Sequence, residues 1–219
     1  MSTRGRGSRG KDSPEVRLSK TLSSILRHNA AKEGLEMRSD GFVRVDELLK
    51  RPKLQSLTVD KLRELVETND KQRYKLSSEP DPVGGAEVLW VRANQGHSVE
   101  VEDLELTPVT DPAELPTVIH GTYKRFWPAI ATEGLRPMKR SHIHCATGML
   151  GAEGVKSGMR ASCDLFIHID VAAAMAAGVA FVVSSNGVVL TKGVDGALAP
   201  CFFAKVVDRA GDAVPPPAA

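Results

Sequence analysis

The spacing of apolar residues changes once along this 219-residue chain, and that change most restricts what it can fold into. Up to about residue 70 apolar positions recur at helical intervals. Leu18, Leu22, Ile25 and Leu26 form one stripe, VDELL at 45–49 signals a second helix, and Leu62, Leu65 and Val66 follow Thr58, a good N-cap. KQRYKL (71–76) and VLWVRA (88–93), either side of a turn-rich SSEPDPVGGA, read as the strands of a hairpin. Past residue 116 short β-rich runs take over: TVIH (117–120), HIHCA (142–146), DLFIHID (164–170), AFVVS (180–184), GVVLT (187–191) and CFFAKVV (201–207). One clear helix, around 123–133 and closed by Gly134, interrupts them. The expected class is α+β. Residues 15–98 form a lobe of three helices and a hairpin in winged-helix order, 99–116 an acidic, proline-containing linker, and 117–208 a lobe of mostly antiparallel strands. Residues 1–14 read as a disordered basic tail and 209–219, ending VPPPAA, as a second disordered tail.

Charge is modest overall, at +2, but uneven. Residues 1–98 carry 19 Lys and Arg against 14 Asp and Glu, while 99–219 carry 10 against 13, so a polyanion is expected to be gripped mainly by the first half. A basic solvated face is the plainer meaning of the same excess. No apolar run reaches eighteen residues, and MSTRGRGSRGKDS lacks the apolar stretch of a secretory signal, so no membrane association is expected and the cytoplasm or nucleus is the expected location. Cys145, Cys163 and Cys201 lie far apart without a CxxC, which points to neither a disulfide framework nor a cysteine-built zinc site.

Three clusters could carry chemistry. Arg27-His28 ends the first apolar stripe; at about 100° per residue Arg27 falls on the far side and His28 on the flank, so both face solvent, a partner lobe or a ligand. Cations suit a helix C-terminus, and that alone also accounts for the pair. Lys71-Gln72-Arg73 and the run Arg92, Asn94, Gln95, His97 and Ser98 put guanidinium, amide and imidazole groups on one hairpin, where they suit phosphate and sugar oxygens or form a polar rim. In MKRSHIHCA a strand would set Arg140, His142 and His144 on one face. A zinc-binding HxH ranks below a phosphate or nucleotide site there, because nothing completes a ligand set. His120-Gly121-Thr122 reads as a strand end opening into a helix, with Thr122 as cap or with free N–H groups facing an anion. SGMR (157–160) and the Asn186-Gly187 turn are further Gly-containing turns, and no GxGxxG or GxxxxGK[ST] occurs.

LSKTLSSILRHNAAKEGL, NDKQRYKL, VRANQGHS, IHGTYKRFW, RSHIHCA, SGMR and SNGVVLT, in that order, closely resemble the tRNA 2′-phosphotransferase family over about residues 15–205. The resemblance implies a winged-helix RNA lobe followed by a lobe of the ADP-ribosyltransferase fold, which binds NAD without a Rossmann motif. It implies removal of the internal splice-junction 2′-phosphate of ligated tRNA. The phosphate is transferred to NAD through an RNA-2′-phospho-ADP-ribose intermediate, giving nicotinamide, ADP-ribose 1″,2″-cyclic phosphate and 2′-OH RNA. ADP-ribosylation of terminal phosphates of RNA or DNA is the alternative reading, and a noncatalytic RNA-binding protein is a third.

By the same resemblance Arg27, His28, Arg73 and Arg140 are catalytic. NAD, as co-substrate, falls to His120, Gly121, Thr122, Ser141, His142, His144, Gly158, Arg160, Ser185 and Asn186. RNA falls to Lys71, Gln72, Arg92, Asn94, Gln95, His97 and Ser98. The expected partners are 2′-phosphorylated tRNA and NAD, with no metal and a monomeric chain. Many relatives have a proline after the Arg-His pair, where this chain has RHNAAKEGL, so the end of that helix stays open.

Overall fold

The computed structural model describes residues 12–81, 84–155 and 157–216; the expected disorder of 1–11 and 217–219 lies outside them. The first helix, α1 (Pro14–Ser24), starts where the Ser13 hydroxyl accepts from the Val16 amide and proline occupies its first turn. It does not stop at the Arg-His pair. A π-helical turn, Ile25–Asn29, and a short 3-10 turn, Ala31–Glu33, carry it to Gly34, which closes it at φ +68°. The stop thus comes at a glycine four residues past position 30, where the resemblance leads one to expect proline and this chain has Ala30.

The chain then forms β1 (Val43–Arg44), α2 (Val45–Leu49), α3 (Val59–Glu67), β2 (Tyr74–Pro80) and β3 (Glu87–Ala93). The Thr58 hydroxyl caps α3 by accepting from the Lys61 amide. The strands make one antiparallel sheet of order β1-β3-β2, and Leu22, Leu26, Leu48, Leu62 and Val91 bury a shared core between sheet and helices. The hairpin is longer than its apolar pattern suggests. Ser77 to Pro80 continue β2 because Ser77 bonds Glu79, Ser78 bonds Glu87 across the pair, and Pro80 sits at the end of an edge strand that needs no donor from it.

The second half is built from β4 (Leu106–Pro108), β5 (Ile119–Thr122), α4 (Trp127–Glu133), β6 (Ile143–Cys145), β7 (Leu165–Ile169), α5 (Val171–Ala176), β8 (Phe181–Ser184), β9 (Val189–Thr191) and β10 (Phe203–Asp208). Two antiparallel sheets result, β10-β7-β5 and β4-β8-β9-β6, with a core of Val118, Ile143, Leu165, Ile167, Phe181 and Val189. A bridge between Ile119 and Ala146 ties one sheet to the other. Among the described residues no helix is long and apolar enough to cross a membrane.

Four local expectations differ from what is found. Residues 99–116 are more than a connection: Leu106–Pro108 pair with β8, and Val109 and Leu115 enter the second core. A second helix, α5, exists in an alanine-rich stretch whose small residues give no apolar stripe, and its Asp170 cap accepts from Ala173. His120, Gly121 and Thr122 all lie inside β5, so Thr122 caps nothing; the following turn takes its cap from Asp164, which accepts from the Lys124 amide. Residues 209–216 are ordered against the second half, where the Trp127 indole donates to the Pro215 carbonyl and Val207 bridges Ala213.

One buried hydroxyl links the first helix to the hairpin. Tyr74 donates to the Ser19 carbonyl at 2.6 Å and meets the Ser23 hydroxyl at 2.6 Å. Tyr74→Phe strands the Ser19 carbonyl at a part-buried contact, and a urea melt should show about 1–2 kcal/mol of lost stability with an unchanged m-value.

Candidate active site

The π-helical turn carries Arg27 and His28 to the end of β3, where residues 94–98 wrap around them. The Ser98 amide donates to the Arg27 carbonyl at 3.0 Å, and the Ser98 hydroxyl lies 3.0 Å from His28 Nδ1. Gly96 sits at φ +88° with the Arg27 guanidinium directly over its Cα, so a side chain there would be both strained and in contact with Arg27. Within this wrap Arg27 Nε and Nη2, and both ring nitrogens of His97, are buried without a partner among the described residues. Polar groups left so cost free energy unless a ligand meets them.

The second half supplies the opposite wall. Ser141 donates its amide and its hydroxyl to the His97 carbonyl at 3.1 and 3.3 Å. His144 Nε2 lies 2.8 Å from Gln95 Oε1, its Nδ1 is 2.9 Å from the His142 carbonyl, and His120 Nδ1 donates to the His144 carbonyl at 2.9 Å. Arg140 and His142 lie in the bend before β6, not on the strand, so of the three expected to share a strand face only His144 is in the strand. A cavity of about 570 Å³ opens here, lined by His97, Ser98, Arg140, Ser141, His142 and His144 and edged by Glu100, Glu102 and Lys192. Lys192 was not legible as a site residue, since a single lysine after a strand carries no pattern.

The charges of the two halves reach one another. Burial pulls the Arg27 guanidinium down to about 10, opposed by Tyr74 and reinforced by the positive charges of Arg140 and Arg73. Burial, then Arg27 and Arg140, lower His28. Burial, with Arg160 next to it, lowers Arg140. His97 is held down to about 4 by burial, then by Arg27, His28 and Arg92, and His144 to about 3 by burial, then chiefly by Arg140. Among the described residues none of Arg27, Arg73, Arg140 or Arg160 is ion-paired with a carboxylate. Of these arginines Arg140 lines the cavity, while Arg27 and Arg73 are not among its lining residues; Arg27 feels the charge of both others, and such unneutralised guanidinium groups suit phosphate oxygens.

The other expected residues divide. Arg92 is 3% exposed; it donates to the Asp40 carbonyl, pairs with Glu105 from the segment after the hairpin and lies over the Phe42 ring, so its charge is already met within the chain. Asn94 is buried and donates to the Gln72 carbonyl. Lys71 reaches across to the Met159 carbonyl. Gln72 is exposed at φ +42°. Gly121 packs on Met159 and Cys163 with no room for a Cβ, Gly158 at φ +109° packs on Ala146, and Thr122 is buried. Arg160 is exposed beside Tyr123, Ser185 is exposed in the β8–β9 turn, and Asn186 is buried there with its amide on the Lys71 carbonyl. Among the described residues no three His, Cys, Asp or Glu side chains could hold a metal ion.

Comparison with known proteins finds one family model, described as RNA 2′-phosphotransferase, Tpt1 / KptA family, matching residues 13–193. The chain is 50% identical over 92% of its length to tRNA 2′-phosphotransferase 1 of Danio rerio, covering 89% of that protein. It is 44% identical to tRNA 2′-phosphotransferase 1 of Homo sapiens, over 90% of this chain and 80% of that one. It is 41% identical to tRNA 2′-phosphotransferase of Saccharomyces cerevisiae, over 73% and 70%.

The depressed histidines set a pH dependence. The unfolded chain takes up protons on His97 and His144 as pH falls through about 6.5, while the folded chain refuses them until about 4 and about 3. The stability they contribute is complete above pH 6.5 and is lost progressively as pH drops toward those values. Calorimetry should find Tm lower by roughly 4 °C or more at pH 5 than at pH 7.5, and a smaller difference in His97→Asn.

Proposed function

The chain belongs to the RNA 2′-phosphotransferase, Tpt1 / KptA family, and on that premise we propose that it removes the splice-junction 2′-phosphate from tRNA by transferring it to NAD, leaving RNA with a free 2′-OH, nicotinamide and ADP-ribose 1″,2″-cyclic phosphate. The observation that carries this reading is the meeting of Arg27, Arg73 and Arg140, from both halves of the chain, around guanidinium and imidazole nitrogens buried without partners. Two polyanions repel one another, and only fixed cations that stay charged through the reaction let them approach.

The residues fit an anionic dinucleotide: the cavity wall formed by Ser141, His142 and His144, with His120 behind it and Arg140 and Lys192 in its lining, offers donors and positive charge without a Gly-rich phosphate loop, while Glu100 and Glu102 line another part of it. When bound, NAD supplies an electrophilic ribose carbon and nicotinamide as its leaving group. The RNA 2′-phosphate is already anionic near neutral pH, so no group of this chain has to act as a base toward it; Arg73 and Arg27 hold its oxygens in line. In the displacement that would follow, a ribose hydroxyl of the bound co-substrate would replace the RNA 2′ oxygen at phosphorus, its proton passing to that oxygen, and Arg27 Nη2 would be a donor for the charge gathering on the phosphoryl oxygens. His28 is oriented by the contact of its Nδ1 with the Ser98 hydroxyl, and burial with the positive charges of Arg27 and Arg140 lowers its ring in the free protein, an effect that a bound dianion opposes.

On this reading the first half, with the order α1-β1-α2-α3-β2-β3 and the sheet order β1-β3-β2, is a winged-helix unit presenting RNA. The two antiparallel sheets of the second half are the ADP-ribosyltransferase-like unit for NAD.

Incubation of a 2′-phosphorylated RNA oligonucleotide with NAD should yield nicotinamide, dephosphorylated RNA and ADP-ribose 1″,2″-cyclic phosphate by mass spectrometry. Arg73→Ala and Arg140→Ala should each lower kcat/KM by roughly 10²-fold or more, about 3 kcal/mol of transition-state stabilisation, and full activity in both would refute the assignment.

A further inference from the structure

The segment Lys71–Arg73 is held by side-chain amides, one of which comes from the other half of the chain. Asn69 Oδ1 accepts from the Arg73 amide at 3.1 Å and from Arg73 Nη1 at 3.3 Å. Asn94 Nδ2 donates to the Gln72 carbonyl at 2.7 Å, and Asn186 Nδ2, from the β8–β9 turn, donates to the Lys71 carbonyl at 2.9 Å. The Asn186 amide cannot turn over: a carbonyl only accepts, so Nδ2 must face Lys71, and the Ser184 hydroxyl donates to Asn186 Oδ1 at 2.8 Å from the opposite side. Both Asn94 and Asn186 are buried. Between the two bonded carbonyls Gln72 sits at φ +42°, a left-handed conformation that a glutamine keeps only when its surroundings enforce it.

We propose that Asn186 is a positioning residue, clamping the Lys71 carbonyl so that the left-handed turn at Gln72 holds Arg73 near Arg27. The proposal rests on the catalytic role of Arg73 given above, and it moves Asn186 from the expected contacts with NAD to a contact with the chain itself. It also couples the halves: the β8–β9 turn of one holds the cation-bearing segment of the other, so a shift between them displaces Arg73. A displacement of about 1 Å in such a group is enough to lower a rate on the order of 10²-fold.

Asn186→Asp keeps the volume and the acceptor for Ser184 but puts a carboxylate against the Lys71 carbonyl. Hydrogen exchange by NMR on the free protein should show the Gln72 and Arg73 amides exchanging about tenfold faster, with β9 unaffected. In turnover with NAD and 2′-phosphorylated RNA, kcat should fall about tenfold or more while KM for NAD stays within about twofold. Unchanged exchange at 72 and 73, or a raised KM for NAD with kcat retained, would overturn the proposal and return Asn186 to the co-substrate. If the wild-type protein gives no dephosphorylated RNA, the proposed activity fails, and the exchange measurement still decides the clamp. Asn186→Ala, which introduces no charge, is read the same way if the aspartate variant does not fold.

Discussion

Bringing several guanidinium groups together without a carboxylate to neutralise them is the constraint on which the rest of this structure depends. Arg27 is largely withdrawn from water, feels Arg73 and Arg140, and has two nitrogens with no partner among the described residues. Each of those conditions opposes folding. They persist because buried hydrophobic clusters in each half hold the surrounding backbone. Under the proposed function, a bound phosphate would offset that cost, because these donors are already withdrawn from water.

The contacts that keep the halves in register run mostly through backbone carbonyls. Ser141 bonds the His97 carbonyl, Lys71 the Met159 carbonyl and Asn186 the Lys71 carbonyl, while His144 meets Gln95. Every one of these residues stands next to, or within two positions of, a group proposed to hold RNA or NAD. The interface between the halves and the site are therefore one network, and the neutral histidines within it keep further positive charge out of a region that already holds too much.

What the sequence made legible was whatever depended on local pattern. The stripe of Leu22, Ile25 and Leu26, the cap at Thr58 and the strand runs of the second half all appear near their expected places, because period and turn chemistry act over a few residues. What depended on distant partners was hidden. Arg92 looked like a ligand for RNA, but its burial follows from Phe42 and Glu105, neither of which is near it in sequence. Alanines in α5 gave no stripe, and Leu106–Pro108 became a strand only because β8 had a free edge. The site showed the same division: Arg27, His28 and Arg140 stood out by type and were recognisable by resemblance, whereas Asn69 and Lys192 carry no signal apart from where the fold puts them.

The central claim, that cations from both halves act on one another at one site, is tested most directly by titrating Arg27 itself. Guanidinium ¹³C NMR on protein labelled at arginine should give an Arg27 midpoint at about 10, and Arg140→Ala, a substitution in the other half, should raise it. An Arg27 that stays protonated through pH 12, or whose midpoint does not respond to the loss of Arg140, would contradict the account.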